Sequence, residues 1–444
     1  MAAMLKIGAT VQLRNAGASG VVTRVLGEGS QGRVFGVRVE LPEGGREYAL
    51  KWYHPGFDTA NQRAILEQLI GHGIPSSRFL WPIDLAQADA DPSYGYVMPL
   101  RPQEFAPMSD LLNGRLDLPI ATVVTVAMEL AAGFLALHAA GLCYRDINLG
   151  NVFFDPSGGA VLICDLDNVG VDGVGAAEIA GSPFFAAPEV ILGDTVPNTA
   201  TDRFSLAVLL FLMLFLHHPL EGGLVLDYEV FDEQAERDLF GTHPCFVFDP
   251  FDPSNRPVPG LHDNASTFWP RFPLFLRELF VTAFTDGISD PDARITEGVW
   301  RRSMGRLRDA VVHCDICGTE AFYDESTLCA TCWVCSRDIV LPARLELDSG
   351  EAVFLSRGAV ITRHHLERNF DFSVVSQVSV HPDDDTLVGL RNLTAVPWQV
   401  GLGPDHRIVV EPGRSIRIVA GSVVQFAPGR TGHVVGSASA GTAP

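Results

Sequence analysis

Lysine is almost absent from this chain: Lys6 and Lys51 are the only two among 444 residues, and the other thirty of the 32 basic residues are arginines. Positive charge is scarce in general, since 53 Asp and Glu leave a formal net charge of -21. That balance excludes a chain-wide affinity for nucleic acid or an anionic membrane, because a polyanion repels another. An ammonium isolated among guanidinium groups either serves chemistry that arginine cannot do or survives a coding bias, and composition alone does not separate the two. Long apolar runs are also missing. Ser205 to Leu216 spans about twelve residues, short of the roughly twenty that cross a bilayer. The stretch Val123–Leu142 carries Glu129 and His138 and reads as a buried helix. The opening MAAMLKIGAT has no apolar core of a signal peptide. Cysteine is sparse, and five of the eight fall between Cys314 and Cys335. Such clustering fits a metal site in a reducing compartment better than a disulfide framework. The expectation is a soluble, cytoplasmic protein.

What is present suffices for a core. Hydrophobic residues make up 47%, which excludes disorder as the main state, and the length suggests about two or three domains. Residues 21–53 alternate β-branched and polar residues between Gly-rich turns and predict a three-strand meander. Helical spacing covers 57–70, with Asp58 or Thr59 as cap. Short strands are expected near Phe79–Asp84 and Tyr94–Leu100, and strong helices over 121–140 and 202–216. Short alternating strands from about 340 to 436 predict a small all-β sandwich. The final GSASAGTAP reads as a flexible tail.

The string LGEGSQGRV, Leu26 to Val34, lies between two strand patterns. Its glycines Gly27, Gly29 and Gly32 would let backbone N–H groups approach a phosphate, although such hairpins are common. Nineteen residues after Gly32 the next strand carries Lys51, and Glu67 is the one glutamate between 52 and 100. Further on come Tyr144-Arg145-Asp146, Asn151 five residues beyond that Asp, Asp165 in VLICDLDNV, the segment GSPFFAAPE (181–189), Thr201 to Leu206, and Arg294.

These elements, in this order and spacing, resemble a protein kinase over roughly residues 20–310. The resemblance implies a bilobal α+β fold, with one lobe over 21–99 and the other over 102–312, after an N-terminal extension of residues 1–20. It implies catalysis by Asp146 as proton acceptor, with Lys51, Glu67 and Asn148. ATP would be bound by Leu26, Gly27, Gly29, Gly32, Val34, Ala49, Lys51, Met98, Pro99 and Arg101. Asn151 and Asp165 would hold Mg²⁺ or Mn²⁺, a Lys51–Glu67 pair would extend the ammonium, and Arg294 would pair with Glu189. Departures are visible. Asn148 replaces a phosphate-neutralising lysine, and Asp165-Leu166-Asp167 carries an acid where the family has glycine. Asp167 either supports a metal or is solvated, and the second reading is preferred. Ser182 favours Ser/Thr over Tyr as acceptor. Residues 166–181 offer no Ser, Thr or Tyr, so activation by phosphorylation within them is not expected. Two alternatives stay open: a nucleotide-binding pseudokinase, and an assembly module in which catalysis is incidental.

Cys314-Asp-Ile-Cys317-Gly has the form of a metal knuckle, and its partner pair is Cys329/Cys332 or Cys332/Cys335. The second is preferred because Ser336-Arg337 resembles the second knuckle of zinc ribbons, which leaves Cys329 spare and gives a closed four-Cys Zn²⁺ site over 313–338. Its acidic flanks (Asp315, Glu320, Asp324, Glu325, Asp338) favour a structural or protein-binding role. The last domain, 339–436, faintly resembles a forkhead-associated (FHA) sandwich, with Arg357, Arg363, His364 and His365 as basic candidates or solvated loop residues. The order kinase, ribbon, sandwich resembles a bacterial family that accompanies a von Willebrand A-domain protein and a PP2C-type phosphatase in tellurite-resistance phosphorylation triads. The kinase resemblance implies protein substrates, and the net charge of -21 argues against nucleic acid or membrane as partner.

Overall fold

The computed structural model describes residues 5–41, 44–89, 91–174, 182–356, 358–369, 371–381, 384–403 and 406–436. The chain divides into two compact units: residues 1–118, 122–268 and 278–304 form the first, and 119–121, 269–277 and 305–444 the second. The expected tail falls outside the described residues.

The first unit begins with strand alternation. Strands β1 (Thr10–Leu13), β2 (Ser19–Glu28), β3 (Gly32–Leu41), β4 (Gly44–Tyr53), β5 (Asp84–Ala88) and β6 (Asp91–Pro99) close a barrel in the order β1-β2-β3-β4-β6-β5. Successive side chains point to opposite faces, so Phe35, Val37 and Val39 of β3 and Leu50 and Trp52 of β4 fill the interior with Val11, Leu13, Val22 and Val97. Strand β1 lies in the segment expected to be an extension, and its Val11 and Leu13 are needed to plug the barrel. Phe79 makes only an isolated bridge to Ile163, so the strand expected near 79–84 starts at Asp84. The opposite face of β4 carries Ala49, Lys51 and Tyr53. Helix α1 (Ala60–His72) is capped by Thr59, which accepts from the Gln62 N–H, and it turns Leu66 and Leu69 inward.

The helical lobe is organised by α2 (Ile120–Ala139) and α3 (Thr199–Phe215). By length and composition α2 could cross a membrane. Its Val124, Met128, Leu130, Phe134 and Leu137 are instead buried within the fold. Helix α3 is apolar almost all round, as expected of a helix at the centre of a core. Asn198 caps it with a reciprocal Thr201 bond, and Phe211 packs edge-on to Phe280 at 5.2 Å and Phe246 at 5.7 Å.

In the second unit a hairpin of β7 (Val311–His313) and β8 (Glu320–Phe322) carries Cys314 and Cys317 in the connection between its strands. Two antiparallel sheets follow, one of six strands and one of four. They enclose Leu345, Ile361, Val378, Leu390, Trp398, Val424 and Phe426. This is the expected sandwich, an architecture common to many all-β domains. His364 and His365 are not solvated basic residues. His365 is fully buried, with Nε2 at 2.7 Å from Asp309, and His364 stacks on Phe372 at 4.6 Å. Arg363 is exposed, beside Asp371, and Arg357 lies outside the described residues.

One polar cluster within the first unit fixes a loop. Asp202, in the first turn of α3, accepts from the backbone N–H groups of Tyr144 (2.5 Å) and Arg145 (2.8 Å). Arg145 has φ 71°, a left-handed conformation that costs a non-glycine residue of order 1 kcal/mol, and these bonds hold it there. His138 bridges Asp202 (3.0 Å) and Glu297 (2.8 Å). Burial disfavours the imidazolium, but the two carboxylates outweigh it and raise its pKa to about 9. A folded pKa above the ordinary 6.5 gives a stabilisation fully present below pH 6.5 and lost as pH rises through about 9, of order 3 kcal/mol. His138→Gln should therefore lower the melting temperature most at pH 6, and the gap to wild type should close by about pH 9.5. A gap independent of pH, measured by thermal melts across that range, would show that His138 is not a charged bridge.

Candidate active site

Strand pairing sets the first group. Lys51 on β4 lies opposite Val34 on β3 and Tyr96 on β6, so these side chains share the face turned to the cleft. The ammonium sits 2.5 Å from Asp165 and 2.6 Å from Asp167, with Gln31 Oε1 at 3.5 Å. Burial works against the charge, yet the two carboxylates raise the Lys51 pKa overall. Glu67 does not join it. The residue lies off the inward stripe of α1, half-exposed, and pairs with Arg14 and Arg63. Asp167 takes the expected place. Far from solvated, it is 1% exposed and accepts from the Tyr96 hydroxyl at 2.7 Å. The preferred reading of Asp167 as a solvated carboxylate is therefore corrected, and so is the Lys51–Glu67 pair. A short 3₁₀ turn, Leu166–Asn168, that begins at Asp165 with φ 54° swings Asp167 back toward the lysine.

The loop anchored by Asp202 carries the second group. Asn151 and Asn148 each donate from Nδ2 to the Asp146 carbonyl at 3.1 Å, and Asn168 Nδ2 is 3.5 Å from the Asp146 carboxylate. The Asn151 carbonyl accepts from the N–H of Cys164, the neighbour of Asp165, at 2.9 Å. Asp146, Asn151 and Asp165 are thus brought to one place. Burial, with the Asp165 charge nearby, pushes the Asp146 carboxyl up. Asn148 also accepts from the Gly150 N–H at 2.9 Å, so it acts as a loop cap and supplies no cation. Arg145 spends its guanidinium on the carbonyls of Val171 and Val174. Gly170 admits it, since a Cβ there would lie 2.6 Å from Arg145. Ser182 lines the same recess as Asp146. Arg294 pairs with Glu189 through two bonds of 2.7 and 2.9 Å, as expected. Gly181 and the rest of 175–181 lie outside the described residues.

The cleft between the two groups is apolar. Ala49 and Met98 pack with Val34, Leu162 and Cys164, whereas Leu26 is exposed and does not join them. Leu162 and Cys164 were not anticipated, although their alternation in VLICDLD carries the signal. Arg101, two residues beyond Pro99 at the end of β6, stacks over Phe153 at 4.2 Å. Of the three loop glycines, Gly32 is required by packing, because a Cβ would meet the Trp52 carbonyl at 2.4 Å. Gly27 has open space where a Cβ would lie and Gly29 meets only the Gly32 carbonyl at 3.8 Å, so packing requires neither, and the Gly29 N–H already donates to that carbonyl at 2.9 Å.

In the second unit, Cys314, Cys317, Cys332 and Cys335 bring their Sγ atoms within 4.8 Å of one another. Each knuckle closes with the same bond, Gly318 N–H to the Cys314 carbonyl at 2.9 Å and Ser336 N–H to the Cys332 carbonyl at 2.8 Å. Both closing residues are left-handed, with φ 73° and 58°. Cys329 stands apart, its Sγ 3.2 Å from Thr327. Four convergent thiols can hold a tetrahedral metal ion.

Residues 21–238 match the family model described as protein kinase domain. Protein kinase MCK1 of Saccharomyces cerevisiae is 32% identical over 105 residues, covering 23% of this chain and 28% of that protein. Protein kinase C eta type of Mus musculus is 31% identical over 213 residues, covering 45% of this chain and 29% of that protein. Glycogen synthase kinase 1 of Pyricularia oryzae is 24% identical over 233 residues, covering 47% and 58%. The chain thus spans less than two thirds of these relatives. The ordered motifs, the convergence of Lys51, Asp146, Asn151 and Asp165, and the matched span agree: the chain carries a protein kinase domain.

Proposed function

We propose that the chain is an ATP-dependent kinase that transfers the γ-phosphoryl group to Ser or Thr of protein partners, in cytoplasmic bacterial signalling. The observation that carries this reading is the meeting of Lys51, Asp165, Asn151 and Asp146 at one end of an apolar cleft lined by Val34, Ala49 and Met98. Lys51 would bind the ATP phosphates. The carboxylate and carboxamide oxygens of Asp165 and Asn151 suit Mg²⁺, which prefers hard oxygen donors. When bound, Mg²⁺ supplies charge neutralisation on the phosphates. Asp146 takes the proton of the acceptor hydroxyl as its oxygen bonds to phosphorus and the bond to ADP breaks. Ser182, beside Asp146, supports a small hydroxyl acceptor. Asn148 favours one rival, a nucleotide-binding pseudokinase, because its amide is committed to the loop backbone.

Transfer of ³²P by the purified chain to itself or a candidate protein substrate separates the two. Asp146→Asn should lower the rate by about 10²–10⁴-fold while nucleotide binding persists. Equal labelling by wild type and Asp146→Asn would remove the reading.

The reading extends to a zinc ribbon over 313–338, joined to an FHA-like sandwich. The likeness to tellurite-associated triads adds a PP2C-type phosphatase and a von Willebrand A-domain protein as proposed partners. Metal analysis of the purified chain should find one Zn²⁺ per molecule. Serine at Cys314, Cys317, Cys332 or Cys335 should remove it, whereas Cys329→Ser should retain it. Loss of metal from Cys329→Ser would reassign the ligand set.

A further inference from the structure

We propose that Asp167, and no carboxylate on α1, is the residue that positions Lys51 for nucleotide. The inference rests on the kinase reading above and goes beyond it, because it moves control of the lysine from a helix to the segment that follows Asp165.

Among the described residues two carboxylates contact the ammonium, Asp165 and Asp167, and they differ in kind. The Asp165 side chain is 35% exposed, while that of Asp167 is 2% exposed. The exposed one is the residue proposed to hold Mg²⁺, and an oxygen committed to a metal no longer neutralises the lysine. Asp167 then remains the carboxylate in contact with the lysine. Both of its oxygens are used: Oδ1 accepts from Tyr96 and Oδ2 faces Lys51.

The surroundings hold Asp167 in that position. Tyr96 is the cross-strand neighbour of Lys51, so one strand register places both the ammonium and the hydroxyl that grip the carboxylate. Tyr53, next but one to Lys51, packs 6.3 Å from Tyr96 and 5.3 Å from Tyr94. Three of the seven tyrosines in the chain thus gather here. Helix α1 contributes a neutral contact, Gln62 Nε2 to the Asp167 carbonyl at 2.9 Å. Its inward stripe continues with the apolar Leu66 and Leu69, and Glu67 faces away toward Arg14. Helix α1 therefore supports the Asp167 backbone and supplies no charge to the lysine, so a small shift of the helix does not break the ion pair.

The test measures Mg·ATP affinity with a fluorescent analogue, and kcat and KM for ³²P transfer, on the full chain. Asp167→Asn should weaken nucleotide binding by about tenfold and kcat/KM by about a hundredfold, while Glu67→Gln stays within about twofold of wild type in both. The double variant Lys51→Met/Asp167→Asn should be no worse than Lys51→Met alone, because a residue acting only through Lys51 has nothing further to lose. Additive losses would make Asp167 merely structural and overturn the proposal. So would a Glu67→Gln defect as large as that of Asp167→Asn, or an Asp167→Asn protein with unchanged affinity. If Asp167→Asn fails to fold, Tyr96→Phe decides, since it removes one hydrogen bond and keeps the ring. A loss of about three- to tenfold in kcat/KM supports the proposal, and no change overturns it. A wild type that binds nucleotide but transfers no phosphate sinks the kinase reading alone, and the affinity comparison still decides on Asp167. A wild type that binds no nucleotide overturns both.

Discussion

The buried contact between Lys51 and Asp167 is the constraint around which the first unit is arranged. At 2.6 Å two unit charges attract by about 6 kcal/mol at an effective dielectric of 20. Withdrawing both from water costs several kcal/mol per ion. The two terms nearly cancel, so the pair adds little net stability. Breaking it is another matter, because a charge left alone in that pocket costs about 3–5 kcal/mol. The chain is therefore held to arrangements in which strand β4, strand β6 and the turn after Asp165 meet in one register. Geometry is what the ion pair secures.

A second anchor does the same for the loop of Asp146, by different means. Asp202 sits at the start of α3, where the helix dipole and free N–H groups favour a carboxylate. Its oxygens reach the backbone of Tyr144 and Arg145. The helix beneath it is fixed by packing of Phe204, Phe211 and Phe215, so apolar burial is converted into the placement of a polar loop. The left-handed Arg145 is affordable only because this support over-determines it. Arg145 then reaches the carbonyls of Val171 and Val174, which ties the segment after Asp165 to the same anchor. An arginine committed in this way to backbone oxygen has few donors left for a phosphate, consistent with a segment that lacks hydroxyl residues at 166–181.

Much of this was legible in the sequence wherever spacing alone fixes chemistry. Lys51 stood out by scarcity, and Asp146, Asn151, Asp165 and Arg294 by order. The four cysteines stood out by paired two-residue gaps, with the knuckle-closing residues Gly318 and Ser336 separating Cys335 from Cys329. What spacing could not supply was facing. Glu67 lies at a suitable distance along the chain from Lys51, yet Gln62, Leu66 and Leu69 define the inward stripe of α1, and position 67 falls off it. Asp167 was legible as an acid but not as a buried one, because burial of a carboxylate depends on partners far away in sequence, here Tyr96 and Gln62. His364 and His365 were misjudged for the same reason: Asp309 and Phe372, which take them inside, are visible only in three dimensions. Strand β1 escaped notice because four residues with alternating burial are too short a pattern to separate from coil.

The scarcity of lysine can now be given a physical reason at one position. An ammonium offers three N–H donors arranged around a point charge, and the structure places three oxygen-bearing side chains about Lys51: Asp165 at 2.5 Å, Asp167 at 2.6 Å and Gln31 at 3.5 Å. A guanidinium is planar and presents its donors as a rigid fork. Such a fork suits one carboxylate facing it in its own plane better than two separate carboxylates on one nitrogen. In a chain that otherwise chooses arginine, lysine is retained where the counter-charges converge from different directions on a single small cation. The net charge of -21 does not oppose binding of a polyanion at such a place, because the field that a phosphate meets there is set by the groups within a few ångströms. Global charge governs which large partners approach, while the cleft is governed by where one ammonium is held.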